Sequence, residues 1–296
     1  MDDTTSLKKP EWIKVRLPAG NEWKKVDSIL ARHGLHTVCD EAKCPNKGEC
    51  WGCGTATFMI LGDKCTRNCR FCAVSTSKTG NPVREDEPEA LAGAVAEMEL
   101  KYAVVTSVDR DDLDDKGSGH FAACIRAIRK ANPSIKIEVL IPDYSGKDLA
   151  VVVAASPDVL AHNIETVRRL QHARDAKSGY ESSLRTLREA KQSGLLVTKS
   201  SILLGLGETR DELLATYADL RSAGVDILVM GQYLRPSSKQ IPVSEYIHPD
   251  TFRLYAEDAE LAGFSSVVAS PFARTSYHAL EAWSIGKTSS GEKTNP

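Results

Sequence analysis

No apolar run in this 296-residue chain is long: the longest, such as residues 149–155, fall far short of the roughly 20 residues that span a bilayer, which excludes a membrane-spanning helix. The start, Met-Asp-Asp-Thr-Thr-Ser, has no basic segment followed by an apolar one, so no secretory signal is expected and a cytoplasmic location is. Excess charge of one sign is missing as well. Lys+Arg number 38 against 40 Asp+Glu, a formal net charge of -2, so nothing global points to nucleic acid. Residues 8–25 carry a local basic excess, which reads as solvated surface before it reads as a dock for an acidic partner. The 7 histidines show no i, i+4 pairing and are not read as a metal site. The remaining profile, 42% hydrophobic and 26% charged, is that of a soluble protein with one substantial core.

Cysteine breaks the ordinary pattern. Of 8, all but Cys124 lie between Cys39 and Cys72. In a chain that is not exported thiols stay reduced, so such density reads as metal binding or catalysis rather than as disulfides. Cys124 sits in an apolar helical stretch and reads as a small core residue, and Cys53 as a bystander.

Residues 1–54 are rich in charge, Pro and Gly, with one amphipathic stretch over 26–32. They are too few to form a core alone and are expected to be a stapled extension. From Thr57 the pattern alternates. Apolar runs at 57–61, 103–107, 137–141, 158–162, 201–204 and 227–231 read as strands, separated by amphipathic helical periods at 89–100, 121–131, 182–193 and 211–223. Gly194 and Gly224 are expected helix C-caps. At least six such units in one domain imply an α/β fold with a parallel sheet, a full or partial (β/α) barrel over residues 55–270, with its chemistry at the C-terminal strand ends. A C-terminal segment, 271–296, is expected to close on it, and its last part, 286–296, has a disordered composition.

The run Cys65-Thr-Arg-Asn-Cys69-Arg-Phe-Cys72 follows the first strand directly. Three closely spaced thiolates can hold three irons of a 4Fe-4S cube and leave the fourth open. Zinc is the rival, but it takes four tetrahedral ligands and favours C-x2-C pairs. The loop resembles that of radical S-adenosylmethionine (SAM) enzymes. There the open iron chelates the amino and carboxylate groups of SAM, and one electron yields methionine and a 5'-deoxyadenosyl radical. Phe71 matches an aromatic residue that packs near the adenosyl group in that family.

A second triplet, Cys39, Cys44 and Cys50, has C-x4-C-x5-C spacing. With the flanking sequence from Thr37 to Gly62 it resembles the lipoyl synthase family, in which this triplet binds an auxiliary 4Fe-4S cluster. That family's fourth ligand is a serine of a C-terminal Arg-Ser-Ser-Tyr motif. Here Arg274-Thr275-Ser276-Tyr277 stands in that place, so Ser276 matches the second serine and Thr275 departs at the first. The resemblance extends over nearly the whole chain, through residues 104–113, 162–167, 201–209 and 230–236. These stretches fall at or just beyond strand ends, where Asn163, Gly205, Gly207 and Gln232 are the expected SAM contacts. The resemblance departs at Lys116, where Gly is usual, and over residues 237–240, where a Thr and a His are common.

The resemblance implies insertion of two sulfur atoms at C6 and C8 of an octanoyl chain carried on a lysine, with the auxiliary cluster as sulfur source. The implied partners are octanoylated lipoyl carrier domains (2-oxoacid dehydrogenase E2 subunits and the glycine cleavage H protein), an electron donor such as ferredoxin or flavodoxin, and an iron-sulfur carrier for cluster repair. No nucleic acid or membrane partner is expected. A methylthiotransferase would carry a further RNA-binding domain and a longer chain, and a simple iron-sulfur electron carrier would need neither a barrel nor an incompletely ligated cluster.

Overall fold

The computed structural model describes residues 7–14, 21–52, 56–194, 197–276, 279 and 283; Cys53, Tyr277 and the tail 286–296 lie outside them. The chain begins with α1 (Asn21–His33), β1 (His36–Thr37), α2 (Val38–Glu41), α3 (Lys47–Gly52) and β2 (Thr57–Ile60). Helix and strand then alternate through α4 (Glu87–Glu97), β3 (Tyr102–Ser107), α5 (Ser118–Ala131), β4 (Lys136–Leu140), α6 (Gly146–Ala154) and β5 (Val159–Ala161). A 3-10 turn (Arg168–Ala173) precedes α7 (Tyr180–Gln192), β6 (Val197–Leu204), α8 (Arg210–Ser222), β7 (Ile227–Gln232), α9 (Pro249–Leu261) and β8 (Ser266–Ser270). The described strands form one sheet in chain order. β1 is antiparallel to β2, and β2 to β8 are parallel. Among the described residues β8 does not pair back to β1 or β2, so the barrel is partial. Each parallel neighbour is reached by a helical crossover, which leaves every C-terminal strand end at one mouth.

The helices form where an apolar stripe can cover the sheet. In α5, Phe121, Ile125 and Ile128 are wholly buried and recur at helical spacing. Gly194 (φ 83) and Gly224 (φ 84) take the left-handed conformation just past α7 and α8, which only glycine adopts without a Cβ penalty. β6 begins at Val197, earlier than its apolar run predicts, because polar residues there face the barrel interior. Lys199, 1% exposed, meets Glu138 at 3.0 Å, and Glu138 also accepts a bond from Tyr102 at 2.6 Å. The apolar run 149–155 is helix α6 with Leu149 and Val152 buried, and β8 was not expected from its five residues.

The N-terminal extension is stapled by its own apolar face. Val26, Ile29 and Leu30 of α1 enter the same core as Leu91 and Val95 of α4. Each such side chain contributes about 1.5–3 kcal/mol when fully buried. Arg32 and His33 add ion pairs to Glu97 at the rim.

Candidate active site

Immediately after β2 the chain turns out of the sheet through Leu61 (φ 69) and Gly62 (φ 88). Charged groups clamp both sides of Leu61. Its N–H donates to Glu87, which also contacts His120 at 2.7 Å, and its carbonyl accepts from Arg110, paired with Asp112. The loop that follows is anchored by Arg67, 5% exposed. Its guanidinium forks onto Asp111 with two 3.0 Å bonds and meets Asp109, Asp143 and Ser178 from neighbouring strand ends. Cys65, Cys69, Phe71 and Cys72 are thereby brought into one cavity with Ser107, Asp109, Asn163 and Glu165.

Burial pushes the Cys65 and Cys69 thiols up to about 12 and raises Cys72 too, with Asp109 adding to the effect on Cys65. Thiols in such surroundings keep their protons in neutral solution unless a cationic centre displaces them. Backbone N–H groups of Arg67 and Asp175 already donate to the sulfurs of Cys65 and Cys69, at 3.4 and 3.3 Å, as they do to iron-bound thiolates. Among the described residues no three His, Cys, Asp or Glu groups surround a single ion. The loop offers three thiolates and no fourth, so it suits a cube with one open iron better than four-coordinate zinc.

The same cavity suits a cationic guest. Burial raises the titration of Asp109, offset by Arg67, and of Glu165, offset by Arg174 and Asn163. Glu165 sits at φ 66, held there by backbone bonds to Ser201 and Leu203 of β6. Such a strained carboxylate at a strand end is a mark of a functional position. Ser107 Oγ is buried in the wall with no partner among the described residues. A ligand carrying a sulfonium and an amino donor would relieve all three groups.

The second triplet is assembled beside β2. Cys39 lies on α2 and Cys50 on α3, and the N–H of Cys44 donates to the Cys39 carbonyl at 3.1 Å. Burial pushes Cys39 up to about 11 and raises Cys44, against which the Arg274 charge acts. The buried Trp51 indole N–H makes no full hydrogen bond and leans toward the Cys39 sulfur. Thr57 joins the pieces: its N–H faces Cys39, while its hydroxyl donates to Ser276 Oγ at 2.7 Å. Asn46 ties the C-terminal segment down from the other side, donating to the Phe272 carbonyl at 2.7 Å. Ser276 is therefore beside the triplet despite lying far along the chain, and the donor set suits a cluster with three thiolates and one hydroxyl.

The other expected SAM contacts are placed differently. Gln232 is wholly buried and spends its amide on the backbone: Nε2 donates to Leu204, Tyr233 and Glu245, and Oε1 accepts from Ile247. Gly205 (φ 91) packs against that amide, where a Cβ would lie 2.2 Å from Nε2, and Gly207 (φ 104) faces Ser244. These three do not line the cavity, whereas Asn163 does. Sequence reasoning passed over Arg67, Asp109, Asp143 and Arg174, although all lie within or beside the strand-end motifs.

A partial barrel with a three-cysteine loop at its C-terminal mouth defines a class, and residues 59–220 match the model of the radical SAM superfamily. The FeFe-hydrogenase maturase HydG from Carboxydothermus hydrogenoformans shares the fold, with a TM-score of 0.60 at 17% identity over 77% of this chain and 56% of that one. Residues 1–44 match the N-terminal domain of lipoyl synthase of the radical SAM family. Lipoyl synthase of Burkholderia pseudomallei (strain 668) is 50% identical over 95% of this chain and 87% of that protein. For lipoyl synthase of Pseudomonas fluorescens (strain Pf0-1) the figures are 50%, 94% and 83%. The chain belongs to the lipoyl synthase family, sulfur-inserting transferases that use SAM and two 4Fe-4S clusters.

Proposed function

We propose that Cys65, Cys69 and Cys72 hold the cluster that binds SAM, and that Cys39, Cys44, Cys50 and Ser276 hold the auxiliary one. The reaction is insertion of sulfur at C6 and C8 of an octanoyl group on a lipoyl carrier domain. Saturated octanoyl carbons have no acidic proton, so no side-chain base activates them. The SAM cluster supplies the needed hydrogen-abstracting radical when bound. The protein's own share is binding and exclusion. Asp109 and Glu165 face the sulfonium and the amino N–H groups of SAM, Phe71 covers the adenosyl group, Arg67 fixes the loop, and Leu140 and Ile141 keep the cavity wall apolar. Gln232 and Gly205 act from behind, setting the strand ends.

The auxiliary cluster is in part a substrate, since the sulfur it gives leaves in the product. Residues 1–54 serve as the extension that carries three of its ligands, 55–270 as the barrel and 271–296 as the segment that brings the fourth. We assign the carriers as 2-oxoacid dehydrogenase E2 subunits and glycine cleavage H protein, the reductant as a ferredoxin or flavodoxin, the repair partner as an iron-sulfur carrier, and the site of action as the cytoplasm. No helix among the described residues is long and apolar enough to cross a membrane. The observation that carries this reading is the pair of separate triplets, one lining a cavity with the half-buried carboxylates Asp109 and Glu165 and the other beside Ser276. Anaerobically reconstituted protein given SAM, reductant and an octanoylated carrier peptide should add two sulfurs to the peptide by mass. SAM cleavage with an unchanged peptide would defeat the reading.

A further inference from the structure

Thr275 and Ser276 are neighbours that point to different sites. Ser276 Oγ meets Thr57 beside the auxiliary triplet, whereas Thr275 Oγ1 donates to Asn163 Oδ1 at 3.1 Å. Asn163 in turn donates through Nδ2 to Glu165 Oε1 at 3.1 Å. Thr275 is 8% exposed, and Asn163 and Glu165 both line the cavity of Cys65, Cys69 and Cys72. An amide that accepts on one side and donates on the other has its flip and its torsion fixed by both partners. Thr275 Oγ1 holds the Asn163 amide from one side while Glu165 Oε1 holds it from the other, so loss of the Thr275 hydroxyl frees the amide to turn away from Glu165.

We propose that Thr275 is a positioning residue for the SAM cavity rather than a ligand of the auxiliary cluster. Its hydroxyl holds Asn163, and through it Glu165, in the orientation that receives SAM. Because Thr275 is joined by one peptide bond to Ser276, the seating of the C-terminal segment at the auxiliary site and the shape of the SAM cavity are coupled. This inference rests on the reading of that cavity as the SAM site.

The test compares reconstituted wild type with Thr275→Ser, Thr275→Val and Asn163→Ala. SAM affinity is read by titrating the change SAM causes in the electron paramagnetic resonance spectrum of the reduced protein, and iron is counted in each sample. Thr275→Val loses one partly buried hydrogen bond and should weaken SAM binding roughly three- to tenfold, while Thr275→Ser stays near wild type. Iron should remain at about eight per chain in both. In the Asn163→Ala background, Thr275→Val should have little further effect, since the shared bond is already gone. Equal SAM affinity in wild type and Thr275→Val would overturn the proposal, as would additive losses with Asn163→Ala. A fall to about four irons in Thr275→Val with SAM affinity unchanged would make Thr275 a ligand and overturn it equally. Wild type that shows no spectral response to SAM would instead fail the cavity assignment itself.

Discussion

Gly231→Ala tests how the C-terminal segment reaches the auxiliary site. Gly231 lies near the end of β7, and a Cβ there would sit 2.0 Å from the Ala273 carbonyl oxygen and 2.8 Å from Arg274 Nη1. The side chain of Arg274 can swing away; a backbone carbonyl cannot. Restoring an ordinary contact of about 3.5 Å requires the segment to retreat by about 1.5 Å. The segment is pinned just before that point, by Gln232 N–H to the Pro271 carbonyl at 3.2 Å and by Asn46 to Phe272, so the displacement is passed on toward Ser276. Cluster ligands tolerate only about 0.2 Å. Overpacking of this size costs about 1–3 kcal/mol, which a stability of about 5–15 kcal/mol survives. Anaerobically purified Gly231→Ala should therefore be folded, should cleave SAM, and should retain iron below the wild-type level of about eight, approaching four. Full iron content with normal lipoyl formation would refute the packing argument.

Replacing Cys65, Cys69 and Cys72 together by Ala should abolish SAM cleavage, whereas the triple change at Cys39, Cys44 and Cys50 should still release 5'-deoxyadenosine without inserting sulfur, both read by chromatography. Lys199→Ala strands Glu138 in the barrel interior and should cost about 3–5 kcal/mol in denaturant unfolding. Burial alone would raise the titration of Asp143, but His162, Arg174 and Arg67 hold it below the usual carboxylate range. Its contribution is then fully present above about pH 4, the unfolded value, and lost as the pH falls toward the folded one. The acid side of the stability profile should consequently flatten in Asp143→Asn, as followed by thermal unfolding.

The parallel barrel was readable because its strands are buried on both faces and so appear as unbroken apolar runs between amphipathic helices. That signal failed where the interior is polar: Thr198, Lys199 and Ser200 are buried strand residues that look like loop. The two cysteine triplets stand out because their spacing is local in sequence. The anchoring of the loop by Arg67 does not, since its partners Asp109 and Asp111 after β3 and Asp143 after β4 meet it only in the folded chain. Gln232 shows the opposite limit. A polar residue at a strand end looks like a ligand contact, yet its amide closes four backbone groups of the surrounding turns. Lys116 stands where the family usually has Gly, and its φ of 53 accounts for that usual choice.

The origin of the inserted sulfur tests the division of labour between the two triplets most directly. Protein reconstituted with heavy-isotope sulfide should be incubated in unlabelled buffer with SAM, reductant and octanoylated peptide, and the lipoyl product weighed. Both sulfurs should carry the heavy isotope, with turnover stalling near one product per chain when no repair system is present. Product containing only light sulfur would contradict the assignment of Cys39, Cys44, Cys50 and Ser276 as the holders of the sulfur source.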